Sequence, residues 1–187
     1  MPSFTKRTMI IAVIAFAAAA AAFATLRPSG HHGHHMHGAH DEHSMPGLQG
    51  ENATPEESEE MRVLFRNFDT LSREVTNLPD GINTVTRSTD PAVMEALVSH
   101  VIGMIDRVDQ ADDPKVRIQS PTLEIFFLRG DRITTTIDVA DEGVVVTQTS
   151  DDPEIVEALH THAAEVSDMA ARGMQAVHEM MAARAQN

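Results

Sequence analysis

The sequence predicts an α+β fold: tandem αββα repeats forming a pseudo-symmetric four-stranded antiparallel sheet covered by helices. Three observations predict it. First, two stretches of the chain align without a gap at one constant offset. Phe65 falls on Phe127, Asp69 on Asp131, Gly81 on Gly143, Glu95-Ala96-Leu97 on Glu157-Ala158-Leu159, and His100 on His162. Second, each stretch has two runs rich in β-branched residues around a turn ending in glycine. Pro79-Asp80-Gly81 and Asp141-Glu142-Gly143 are those turns, and glycine there takes a positive φ without strain. Third, Asp90-Pro91 and Asp152-Pro153 pair an N-cap residue with proline at the first helical position.

The elements follow in order. Lys6 and Arg7, the alanine-rich apolar run Met9 to Phe23 and the small-x-small Ala22-Phe23-Ala24 make residues 1–24 a secretory signal peptide. The run is short and weakly apolar for a membrane span, so an uncleaved inner-membrane anchor is the second choice. The mature chain is therefore expected outside the cytoplasm, periplasmic or secreted. Residues 25–54 are rich in Gly, His, Pro and Ser, lack apolar periodicity, and read as a disordered linker. Residues 55–187 form the duplicated domain, copy one over 55–110 and copy two over 118–187. Each copy opens with a short helix, about 56–69 and about 121–130. The second is ambiguous, because Leu123-Glu124-Ile125-Phe126-Phe127 also suits a strand. Strands are expected over Leu71 to Leu78, Ile82 to Ser88, Arg132 to Val139 and Val144 to Ser150. A helix after Asp90 runs to about Val108, and one after Asp152 continues past Met174 towards Ala183.

The strings Leu64-Phe65-Arg66-Asn67, Val75-Thr76-Asn77-Leu78-Pro79-Asp80-Gly81 and Thr149-Ser150-Asp151-Asp152-Pro153 resemble a set of uncharacterised bacterial exported proteins. Those proteins carry a duplicated "LFRN.D…LP.GV.TVT.SDDP…H" motif. The likeness covers about 61–108 and about 121–175. It implies the fold and no particular activity. It also implies a histidine where this chain has Phe68 and Gly130, so one candidate ligand position is missing here.

Charge and composition bound the function. The 28 acidic residues outnumber the 14 basic ones, and loss of Lys6 and Arg7 with the leader takes the formal charge from −14 to −16. Such a chain repels nucleic acid and anionic lipid and attracts cations. A membrane partner is expected only if the leader stays uncleaved. There is no cysteine, hence no disulfide, thiolate ligand or c-type haem attachment motif. Trp and Tyr are absent as well, which argues against sugar-binding or base-stacking platforms. No nucleophile, zinc-protease or phosphate-loop motif occurs. Asp112-Asp113 and Asp151-Asp152 precede prolines, where turns and helix caps account for them. An enzyme is therefore not expected.

The strongest chemical feature lies in the linker. His31, His32, His34, His35, Met36, His37, His40, His43 and Met45 make a metal-ligand-rich string, with seven of the chain's 11 histidines falling between positions 31 and 43. Neutral imidazole suits copper, zinc and nickel, and thioether sulfur favours copper(I). The expected function is metal buffering or delivery outside the cytoplasm, with copper first and zinc or nickel after it. A second tier is His100, Met104, His162 and His178. His100 and His162 fall on the apolar stripes of equivalent helices, from which they could share a metal or a haem iron. The plainer reading is two buried neutral imidazoles, each hydrogen-bonded to a sheet carbonyl. His178-Glu179-Met180-Met181 is a soft-ligand string, although methionine at helical spacing is more often packing. The competing function is a non-catalytic protein-interaction module of the cell envelope, with the histidines as an incidental spacer; a haem-binding protein is the third reading.

Overall fold

A computed structural model describes residues 45–140 and 143–186. The chain is α+β, with a four-stranded antiparallel sheet and five α-helices among the described residues. The expected strands β1 (Leu71–Leu78), β2 (Gly81–Ser88), β3 (Thr134–Ala140) and β4 (Gly143–Thr149) lie in the order β1-β2-β4-β3. The two hairpins thus join through β2 and β4, where Thr84 pairs with Val146 and Ile82 with Gln148. The expected signal peptide, 1–24, and residues 25–44 of the expected linker lie outside the described residues.

The sheet's alternation fixes its buried face. Ile82, Thr84 and Thr86 of β2 and Val144 and Val146 of β4 are buried, and successive strand residues point to opposite faces. On the other face Glu74, Thr76, Thr134, Thr136 and Asp138 are exposed.

The helices form where the sequence supplies start signals. The Oγ1 of Thr54 accepts the Glu57 N–H at 3.1 Å, and the Glu57 carboxylate accepts the Thr54 N–H at 2.7 Å. This capping box opens α1 (Pro55–Arg66). The Asp90 side chain caps α2 (Pro91–Asp109), and Asp152 caps α4 (Pro153–Arg172). Ser88 and Ser150 hydroxyls each accept the following cap's N–H at 3.1 Å. The ambiguous stretch is helical: a 3-10 turn over Pro121–Leu123 leads into α3 (Glu124–Leu128). Phe126 and Phe127 are both buried, and Phe126 packs with Ile82, Ile133, Ile155 and Leu159.

Two clusters fill the space between sheet and helices. Ile155, Leu159 and Ala163 recur every four residues on α4 and meet Ile82, Phe126 and Ile133. Val93 and Leu97 of α2 meet Leu64, Val144 and Val146.

The structure departs from expectation in two places. The last helix does not run through to Ala183. It breaks at Gly173, whose φ of 57° a helix cannot use, and α5 (Met174–Arg184) starts afresh. A Cβ at Gly173 would also sit 2.7 Å from Cδ1 of Phe68. In addition, the folded chain begins before residue 55. Met45 leads a 3-10 turn over Pro46–Leu48, Leu48 is 1% exposed, and Gly50 bridges to Val116. Two apolar residues suffice to dock this stretch against Phe65 and Val177, but they are too sparse to show a period.

Candidate functional site

The candidate ligands divide by location. His31, His32, His34, His35, Met36, His37, His40 and His43 lie outside the described residues. Met45 lies inside them, 9% exposed, with its side chain in the apolar cluster of Leu48, Phe65 and Val177. Packing occupies this thioether, so Met45 does not count with the imidazoles of residues 31–43 as a candidate ligand.

His100 and Met104 stand one turn apart on α2, both half-buried. Burial pushes the His100 imidazole down to about 4; the Glu57 carboxylate on α1 opposes this, and His162 on α4 adds to it. The two predicted histidines are therefore near enough to feel each other's charge. His162 lies edge-on to the Phe126 ring, with centroids 5.6 Å apart. Its Nδ1 is 3.6 Å from Oε2 of Glu165, beyond hydrogen-bond length, and neither atom has a hydrogen-bond partner among the described residues. The other Glu165 oxygen accepts the Ser120 and Thr122 hydroxyls at 2.9 and 3.1 Å. Burial raises the Glu165 carboxyl, but His162 and the two hydroxyls outweigh it and hold the group below its usual range. Among the described residues no three His, Cys, Asp or Glu side chains group as a metal site.

The carbonyl-capping role expected of His100 and His162 falls instead to His160. Its Nε2–H donates to the Gly81 and Leu78 carbonyls at 2.8 and 3.1 Å, tying α4 to the first hairpin turn. That contact joins elements far apart in the chain, so no local pattern announces it. A second unanticipated group is Arg73 of β1, on the buried face of the sheet. Its Nη1 donates to the Thr86 hydroxyl at 2.6 Å, its Nε has no partner among the described residues, and burial lowers the guanidinium to about 10. His178 is exposed on α5.

The buried imidazole has a measurable consequence. The His100 pKa in the folded chain lies below its ordinary value of 6.5. As pH falls through 6.5 the unfolded chain takes up this proton first, so stability falls between pH 6.5 and about 4 and levels off below. The steepest slope is about 1.4 kcal/mol per pH unit. Urea denaturation at pH 7 and pH 5 should differ by about 2 kcal/mol from this group. In His100→Leu the difference should shrink by that amount, and an unchanged slope would assign the acid sensitivity elsewhere.

These features define an α+β domain whose buried polar side chains are serines and threonines, with His100, His160, His162 and Glu165 half-buried. No family model matches the chain, nor does any curated protein or solved structure. No described helix is long and apolar enough to cross a membrane.

Proposed function

We propose that the protein binds transition metal outside the cytoplasm, copper before zinc or nickel, through the imidazoles of residues 31–43. The single observation that carries this reading is the density of histidine, seven between positions 31 and 43, in a cysteine-free, strongly acidic chain. Imidazole nitrogen is the ligand common to all three metals, and the negative field of the domain concentrates cations around the segment. The anchoring of Met45 and Leu48 in the core fixes the downstream end of the segment to the domain. The domain then acts as a carrier, and the exported location follows from the leader-like residues 1–24.

The domain itself is, in this reading, a duplicated unit with a pseudo-two-fold axis between β2 and β4. The strand register supports it: Thr84 pairs with Val146, its own counterpart in the second copy. Ile82 faces Gln148 while Thr86, the counterpart of Gln148, faces Val144, the counterpart of Ile82. A competing reading, an envelope protein-interaction module, is favoured by Leu128, which is 72% exposed beside a shallow recess lined by Pro121, Ile125 and Arg129.

Copper(II) titration of the mature chain tests the metal reading beside a variant lacking residues 31–43. Met45 is kept because its removal would open the core. Tight uptake lost on deletion is the expected result. Equal weak uptake by both chains would discard the segment as a working site. A protein partner retained in the presence of chelator would favour the interaction module.

A further inference from the structure

The methionines of the domain are unevenly spread. The cluster beneath α4 and Phe126 has none. The cluster joining residues 45–48, α1, α4 and α5 contains Met45, Met61, Met169, Met174, Met180 and Met181. The cluster beneath α2 carries Met94 and shares Met61, so the excess of sulfur lies in the corner built on α5. All but Met45 are only partly buried, so solvent reaches this corner.

One stripe of α5 joins that sulfur to an imidazole. Met174 precedes His178 by four residues and Met181 follows it by three, and residues three and four apart are neighbours on a helix surface. His178 is exposed between two half-buried thioethers. The Met181 sulfur accepts an N–H from Arg184 at 3.8 Å, so it already acts as an acceptor towards an exposed side chain. Methionine has three flexible bonds and can re-aim its sulfur without backbone movement.

We propose that Met174, His178 and Met181 form a soft-metal site on α5 for a monovalent cation of the copper(I) or silver(I) class. Two thioethers and one imidazole select such ions over zinc or magnesium, because thioether sulfur is soft and uncharged. The remaining methionines of the cluster supply a polarizable wall behind the site. The entry of Met45 into this cluster, two residues after His43, puts the site at the corner where the histidine-rich segment joins the domain. The site does not depend on the imidazoles of residues 31–43, and the experiment separates the two.

Silver(I) is the probe, since it takes no part in redox cycling. The full mature chain is used with all seven histidines of residues 31–43 changed to asparagine. Calorimetric titration should find one tight equivalent, with methionine methyl NMR signals of Met174 and Met181 shifting together. Outer-shell partners of metal sites are worth about 10–100-fold in affinity, so loss of a direct ligand should cost at least that. His178→Ala and the double change Met174→Leu with Met181→Leu should each weaken binding by that factor. The leucines conserve volume and keep the fold, which thermal melting checks. Absence of a tight equivalent in the asparagine background would overturn the proposal. So would affinity unchanged in a chain carrying all three substitutions. Loss of copper(II) uptake on deletion of residues 31–43 bears only on the segment.

Discussion

Gly81→Ala and Gly143→Ala are each expected to destabilise the fold by about 3 kcal/mol, among the largest effects of any single methyl group in this chain. Gly81 begins β2 at the joint between the two hairpins and is buried. A Cβ there would sit 1.9 Å from the Gln148 carbonyl oxygen and 2.8 Å from the Thr149 Cα. Both are backbone atoms of β4, so no side chain can swing aside. Gly143 begins β4 and meets the equivalent obstacle, with its Cβ 2.5 Å from the Thr86 carbonyl oxygen. Its φ of 128° adds backbone strain for any L side chain. Relief requires β2 and β4 to part, and this pairing is what unites the hairpins in one sheet. Urea denaturation of both variants measures the effect. Losses below about 1 kcal/mol would mean that the β2–β4 joint tolerates a shift, and would weaken the proposed two-fold relation along with it.

The fold was legible where a local rule suffices. Gly143 marks its turn through a φ of 128° that only glycine takes easily, and Asp-Pro marks helix starts because cap and φ agree. Gly81 was expected to share that positive φ but does not, and glycine is needed there because a Cβ would meet the β4 backbone. Alternation along Ile82-Asn83-Thr84-Val85-Thr86 shows which residues lie beneath the helices, and all three even-numbered positions are buried. The helix break at Gly173 was not legible, because a glycine within an apolar helical pattern is ordinarily tolerated. The Phe68 ring, far earlier in the chain, lies where a Cβ would stand, so glycine alone fits at this break.

The candidate site was legible in a different way. Density of histidine is visible without a fold, but whether Met45 belongs with those histidines is a tertiary question. Its burial against Phe65 and Val177 allots it to the core. The apolar stripe singled out His100 and His162 correctly as inward-facing groups. It could not say which histidine would reach a carbonyl, because Leu78 and Gly81 are brought to His160 only when α4 crosses the first hairpin. Partners remote in sequence decide the role of a buried polar side chain, and composition does not carry them.

Arg107→Ala is expected to cost about 1.5–3 kcal/mol, the range for losing hydrogen bonds between charged groups in a part-buried network. The guanidinium is 11% exposed at the end of α2. Its Nε and Nη2 grip the Glu57 carboxylate at 2.5 and 2.9 Å, and its Nη1 reaches Asp112 Oδ2 at 2.7 Å. Nη2 also donates to the Asn52 carbonyl at 2.9 Å, while the Asn52 amide returns to Asp112 at 2.5 Å. One side chain thus holds α1, α2, the connection after α2 and the stretch that precedes α1. Glu57 serves the network and the capping box at once, so truncation of Arg107 leaves its carboxylate held by the Thr54 N–H alone. Bonding to Arg107 holds the Glu57 carboxyl below its ordinary value, with burial opposing. That contribution is present above pH 4.5 and is lost as pH falls through the lowered folded value. The variant should therefore be weaker at pH 7 and should lose less than the parent below pH 4.5. Arg107→Lys retains the charge without the fork and should recover only part of the loss. A cost under about 1 kcal/mol, unchanged in acid, would place the network with ordinary surface pairs and leave residues 45–54 held by Met45, Leu48 and the backbone bonds to residues 114–118.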